Sequence, residues 1–169
     1  MKGRFQRRIY TSFGQFWQDV RYILARRRLM RAVMRGQLIS RPFRERLMLA
    51  VTQVNGCPYC SYFHAKEALR VGLSPEEIQD LRRGVFDQAP AEEIPALLYA
   101  QHWAESNAQP DPEVRCRVEG IYGPELFQGI ELALRAIRVG NLLGNTWDYL
   151  LFRLGLGRGA SADRPRPSL

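Results

Sequence analysis

Apolar residues recur at intervals of three and four in every long segment of this 169-residue chain, and a strand-like alternation persists nowhere. The pattern predicts an all-α fold. Residues 9 to 34 set Ile9, Phe13, Phe16/Trp17, Val20 and Ile23/Leu24 on one stripe, with Arg21, Arg26, Arg27, Arg28 and Arg31 clustered towards the end; this reads as a single amphipathic helix. A second helix is expected from about Ser40 or Pro42 to Val54, where Asn55-Gly56 tolerates the positive φ that closes a helix. A third begins at Cys57 or Pro58 and stops near Gly72. Ser74-Pro75-Glu76-Glu77 supplies an N-cap, a first-turn proline and a capping-box glutamate for a short helix ending before Gly84. Pro95, Pro112 and Pro124 each open a further helix behind Ile94, Asp111 and Gly123, of which only Asp111 is a strong cap.

The last helix, from about Pro124 to Leu154, is the longest. Ile130, Leu134, Ile137, Leu142 and Leu150 give it broad apolar coverage, and Gly140 and Gly144 leave room for another backbone to approach. Arg135, Arg138, Asn141, Asn145 and Asp148 interrupt that surface, which fits an oligomer interface, a pocket rim or helix-helix hydrogen bonds.

Charge divides the chain. Residues 1 to 46 hold 13 basic and 2 acidic side chains, a net of +11, and the remainder holds 12 basic and 15 acidic, a net of −3. A basic amphipathic arm over 1–39 thus precedes a helical domain over 40–154 and a tail over 155–169 whose composition predicts disorder. Nucleic acid, an anionic membrane surface or a protein surface could each take up the arm's charge. No nucleic-acid motif is present, so packing on its own or a neighbouring subunit ranks first, membrane attachment second and nucleic acid third. The N-terminus lacks a seven-residue apolar run and a small-residue cleavage site, and charges interrupt both long apolar stretches, so a cytoplasmic protein is expected.

Three cysteines are too few for a disulfide framework, and two of them form Cys57-Pro58-Tyr59-Cys60. With Pro58 at the first helical position, Cys57 falls at the N-cap and Cys60 in the first turn, where free amides and the helix dipole favour an anion. Thiol pKa values fall there from roughly 8.5 towards neutrality, and the thiolate is the reactive species. His64 follows Cys60 by one turn on the same face. The preceding helix returns antiparallel across Asn55-Gly56; at about 1.5 Å per residue Glu45 lies roughly 13 Å before the turn and His64 roughly 10 Å after it, so the two should face each other. Glu45 also borders the eight charge-free residues Leu47 to Val54, and burial there is expected to raise its pKa into the range of proton exchange.

Glu45, eleven residues, Cys57-x-x-Cys60, three residues and His64 resembles the signature of the AhpD-like alkylhydroperoxidases within the carboxymuconolactone decarboxylase family, closely over Pro42 to Asp80 and more loosely after Pro95. The resemblance implies that Cys60 attacks a hydroperoxide as thiolate and becomes a sulfenic acid, that Cys57 resolves it to a disulfide, and that Glu45 and His64 relay protons. It implies a dithiol reductant, lipoyl or thioredoxin-like, a homo-oligomer, and no metal or flavin. Peroxidase members carry histidine just before the second cysteine. Here that residue is Tyr59, a candidate for the relay or the pocket, although tyrosine titrates only near 10. Family decarboxylases lack the cysteine pair.

Other readings stay open at this stage. Cys57 and Cys60 could be half of a zinc site with His64 and Cys116, although ligands one turn apart on a single helix are an unusual arrangement. A c-type haem motif is excluded by Ser61 after Cys60. Glu45 could instead pair with Arg41 or Arg44. Cys116 reads as a core or interface cysteine, and His102 as structural. The functional alternative is a regulatory module in which the pair toggles between dithiol and disulfide without turnover.

Overall fold

The computed structural model describes residues 5–155, which contain eight helices and no strand. They are α1 (Phe13–Ala25), α2 (Arg27–Arg35), α3 (Arg41–Asn55), α4 (Pro58–Arg70), α5 (Pro75–Leu81), α6 (Ile94–Glu105), α7 (Pro112–Tyr122) and α8 (Pro124–Arg153). Apart from Gly155, the expected tail lies outside the described residues.

The starts of α3 to α8 fall at the prolines that signal them. Ser40 and Ser74 accept from the amides of Phe43 and Glu77 at 3.1 Å, and Asp111 accepts from Glu113 N at 2.8 Å. The capping box at Ser74 is only half made, because the Glu77 carboxylate is drawn to the Arg46 guanidinium at 2.6 Å. Arg46 reaches Glu93 as well, at 3.0 Å, and so ties α3 to the chain entering α6.

α3 and α8 form the centre of the bundle, and α3 also packs on α4, α5 and α6. Every residue of α3 from Glu45 to Thr52 is buried, which is why the helix shows so long a charge-free run. Ile130, Leu134, Ile137 and Leu142 of α8 join that core, whereas Leu150 is 48% exposed. A Cβ on Gly140 would meet nothing within 4 Å, and one on Gly144 would meet only Cys57 Sγ at 3.6 Å, so neither glycine serves a close backbone contact within the chain.

The basic arm differs most from expectation. Its helix breaks at Arg26 into α1 and α2, and both pieces pack on α8. The stripe is split: Ile9, Phe16, Val20 and Ile23 are half-buried, whereas Phe13 is 76%, Trp17 51% and Leu24 55% exposed. Asp19, one turn from Phe16 and from Ile23, is 2% exposed and pairs with Arg135 at 2.8 Å and with Arg138. The cause is electrostatic. Two guanidiniums packed against a neighbouring helix cannot be left without a counter-charge, and Asp19 is the only carboxylate in the chain before Glu45. Turning it inward leaves the far edge of the stripe, Phe13, Trp17 and Leu24, exposed. The polar interruptions of α8 are thus used within the chain: Arg135 and Arg138 hold Asp19 of α1, while Asn145 donates to Arg8 O at 2.9 Å and Asp148 takes Arg7 at 2.5 Å in the segment before α1.

Among the described residues no helix is long and apolar enough to cross a membrane.

Candidate functional site

Gly56, at φ 71°, accepts the left-handed conformation that ends α3, and its amide donates to Thr52 O at 2.8 Å. The chain then re-enters a helix at once, since Pro58 is pre-set for a first turn. This tight reversal puts Cys57 at the N-cap of α4, where its Sγ accepts from the Cys60 amide at 3.3 Å. The two sulfurs lie 2.7 Å apart as free thiols, and Cys57 and Cys60 are only 2% and 8% exposed.

The two thiols do not share one acidity. The hydrogen bond from Cys60 Sγ, opposed by burial and aided by the Cys60 amide and the Arg7 charge, lowers the Cys57 pKa to about 7. The same bond, together with burial, pushes the Cys60 thiol up, with the Asn141 side chain opposing. The direction favours the anion on Cys57 over the Cys60 that the family resemblance casts as attacking thiolate, chiefly because the hydrogen bond between the sulfurs stabilises charge on Cys57 and opposes it on Cys60.

His64 Nδ1 lies 2.7 Å from Glu45 Oε2, across the α3–α4 hairpin. Glu45 is 2% exposed, and its other oxygen accepts from Arg44 Nε at 3.0 Å and Nη2 at 2.8 Å. Burial raises the Glu45 pKa, but the hydrogen bonds from His64 and Arg44 outweigh it and hold the carboxyl below its ordinary value. The expectation of a raised pKa is thereby corrected: burial was legible, whereas the Arg44 wrap, weighed only as an alternative, coexists with the His64 contact. An ionised Glu45 fixes the imidazole through Nδ1 and leaves Nε2 to exchange a proton.

The remaining candidates divide. Tyr59 is 76% exposed on the outer face of α4. Cys116 is exposed on α7 rather than in the core, and among the described residues no three metal-ligating side chains converge. His102 Nε2 accepts from Asp111 N at 3.1 Å, which holds the α6–α7 loop.

The asparagines that lock the hairpin to α8 were singled out in the sequence, with helix-helix hydrogen bonds as one reading, but their partners Thr52 and Asn55 were not. Asn141, fully buried, donates to Thr52 Oγ1 at 3.1 Å and accepts from Asn55 at 3.3 Å, and Asn145 donates to Asn55 O at 2.9 Å. The signal was present in the spacing: Asn141, Asn145 and Asp148 recur at helical intervals within an apolar helix. Arg7 was missed altogether, since its place over Gly56 depends on the fold of the arm.

The uncharacterized protein YdfG of Bacillus subtilis (strain 168) is 29% identical over 120 residues, which cover 69% of this chain and 76% of that protein. No solved structure matches the chain. The model of the carboxymuconolactone decarboxylase family matches residues 23–106, a span that holds Glu45, both α4 cysteines and His64. The chain belongs to the carboxymuconolactone decarboxylase family, which includes enzymes.

Proposed function

We propose that the protein is a thiol-dependent peroxidase of the AhpD-like kind, reducing hydroperoxides through Cys57 and Cys60. The observation that carries the reading is the pair of contacts at the start of α4: two thiols 2.7 Å apart with one acidified, and a His64–Glu45 pair at 2.7 Å one turn along.

The resting thiolate on Cys57 serves as base for its neighbour. As a hydroperoxide reaches Cys60, the more exposed of the two residues, the Cys60 proton passes to Cys57 and the Cys60 sulfur attacks the O–O bond. The bond breaks to give a Cys60 sulfenic acid and an alkoxide, which takes a proton from His64 and leaves as alcohol. Cys57, now a thiol, displaces the sulfenic oxygen as water and closes the Cys57–Cys60 disulfide. A dithiol reductant of the lipoyl or thioredoxin-like class reopens it and is itself oxidised to a disulfide.

We assign this chemistry to the cytoplasm, where dithiol reductants are maintained, and to a homo-oligomer. Its exposed Phe13, Trp17, Tyr59 and Tyr62 are the side chains for which contact with a second copy offers burial.

The test is peroxide consumption by the full chain with lipoylated protein, thioredoxin and a small dithiol in parallel. Turnover with at least one of them, accompanied by an intramolecular Cys57–Cys60 disulfide on mass analysis, supports the reading. No turnover with any dithiol would reduce the pair to a redox toggle.

A further inference from the structure

The reaction proposed above moves negative charge onto the Cys60 sulfur, where the neighbouring Cys57 and burial both oppose it. Arg7 and Asp148 bear on Cys57, and His64, one turn along α4, is held through Nδ1 by Glu45 of α3. The side chain that favours charge on Cys60 comes from a third helix. Asn141 of α8, wholly buried, hydrogen-bonds this sulfur.

Asn141 sits where α3, α4 and α8 meet, and α3 fixes the orientation of its amide. Asn55 Nδ2 donates to Asn141 Oδ1 at 3.3 Å, so Asn141 Nδ2 faces the other way, and one of its hydrogens goes to Thr52 Oγ1 at 3.1 Å. The second is left for the Cys60 sulfur. Asn145, one turn further along α8 and also wholly buried, provides the contrast. Its amide donates to two backbone carbonyls, Asn55 O and Arg8 O, each at 2.9 Å, which ties the helices together and leaves no hydrogen for a thiol.

We propose that Asn141 is a catalytic residue, whose side-chain amide, held in place from α3, donates to the Cys60 sulfur as that sulfur becomes anionic and attacks. This assignment rests on the proposed function in taking Cys60 as the attacking sulfur. A donor aimed in advance at developing charge, in a site with little water, lowers the barrier without having to reorganise. Its neutrality matters as well, because a thiolate loses nucleophilicity as its pKa falls, and a cation in the same place would lower that pKa further. Asn141 transfers no proton: the Cys60 proton still passes to Cys57, and the leaving alkoxide is still protonated by His64.

The test is the pH dependence of Cys60 alkylation by iodoacetamide in full-length Cys57→Ser protein, which is read whether or not the chain reduces peroxides. Peptide mass analysis separates Cys60 from the exposed Cys116. In that background Asn141→Leu should raise the Cys60 midpoint by about one pH unit, as loss of a hydrogen bond to a charged group does. Asn141→Asp keeps the shape but sets a like charge beside the sulfur, and should raise it further; it carries the test if the leucine variant does not fold. Asn145→Leu breaks ties of the same structural kind, and should lower the urea midpoint while leaving the Cys60 midpoint in place. With Cys57 present, Asn141→Leu should slow peroxide turnover roughly tenfold or more. An unmoved Cys60 midpoint in the folded Asn141 variants, or an equal shift in Asn145→Leu, would overturn the proposal. A moved midpoint in a chain whose wild type consumes no peroxide would keep Asn141 as the donor to Cys60 and sink the peroxidase reading alone.

Discussion

In the α3–α4 hairpin the groups that meet are close in the chain, Cys57 and Cys60 three residues apart and Glu45 and His64 nineteen. The N-terminal arm is anchored over longer separations, reaching 96 residues between Arg8 and Ala104, 109 between Tyr22 and Glu131 and 141 between Arg7 and Asp148. Both regions bury charge, with different consequences. In the hairpin one cap, one proline and one left-handed glycine set the geometry, so the buried acid and thiols are available for chemistry. In the arm the buried carboxylate is consumed in neutralising Arg135 and Arg138, while Phe13, Trp17 and Leu24 stay exposed. The proposed function puts reactivity in the hairpin and attachment in the arm, and substitutions should separate the two.

The largest effect belongs to the sulfurs. Cys57→Ser and Cys60→Ser should each abolish dithiol-dependent peroxide turnover while the thermal unfolding midpoint stays close to that of the wild type. Substantial turnover in both variants would remove the pair from the reaction. Next come Glu45→Gln and His64→Gln, expected to slow turnover roughly 10²- to 10⁴-fold, as loss of a general acid or base does. Unchanged rates would leave the Glu45–His64 contact a structural tie.

The hairpin was legible because its signals are local: Ser40, Gly56 and Pro58 dictate where α3 stops and α4 starts, and helical rise then sets Glu45 opposite His64. The starts of α5 to α8 were legible for the same reason. The break at Arg26 was not, since no glycine or proline marks it. Nor was the turn of α1 that leaves Phe13, Trp17 and Leu24 exposed, because periodicity tells that a helix has an apolar face but not how its neighbour meets it; Asp19 is drawn inward by Arg135 and Arg138, more than a hundred residues away. The electrostatics of the site were legible only in part. Burial of Glu45 could be read from the flanking apolar run, whereas the lowering of its pKa required Arg44 to fold back onto its own neighbour.

The arm's contribution should appear as stability. Asp19→Ala leaves the buried Arg138 without its counter-charge, and breaking a buried pair in this way costs about 3 to 5 kcal/mol. Urea unfolding should show that loss, with turnover per folded molecule retained. A variant as stable as the wild type would mean that the arm is held by its apolar contacts instead.

The smallest effect tests where the two regions touch. Arg7 crosses Gly56 and pairs with Asp148 at 2.5 Å, and its positive charge favours the Cys57 anion while Asp148 opposes it. Cys57 is an acid with a folded pKa of about 7, below the ordinary thiol value, so its alkylation rate should rise with pH through about 7. Removing a nearby cation makes the anion less favourable. Arg7→Gln should therefore move the midpoint upward by roughly a few tenths of a pH unit and slow alkylation at neutral pH, since both charges are partly exposed and screened. Asp148→Asn should move it downward, and the double variant should return close to the wild type because the two charges oppose each other at the same sulfur. All three shifts should shrink as salt is raised. Identical midpoints in the three variants would show that the arm crosses the redox site without acting on it, and attachment and reactivity would then be wholly separate in this fold.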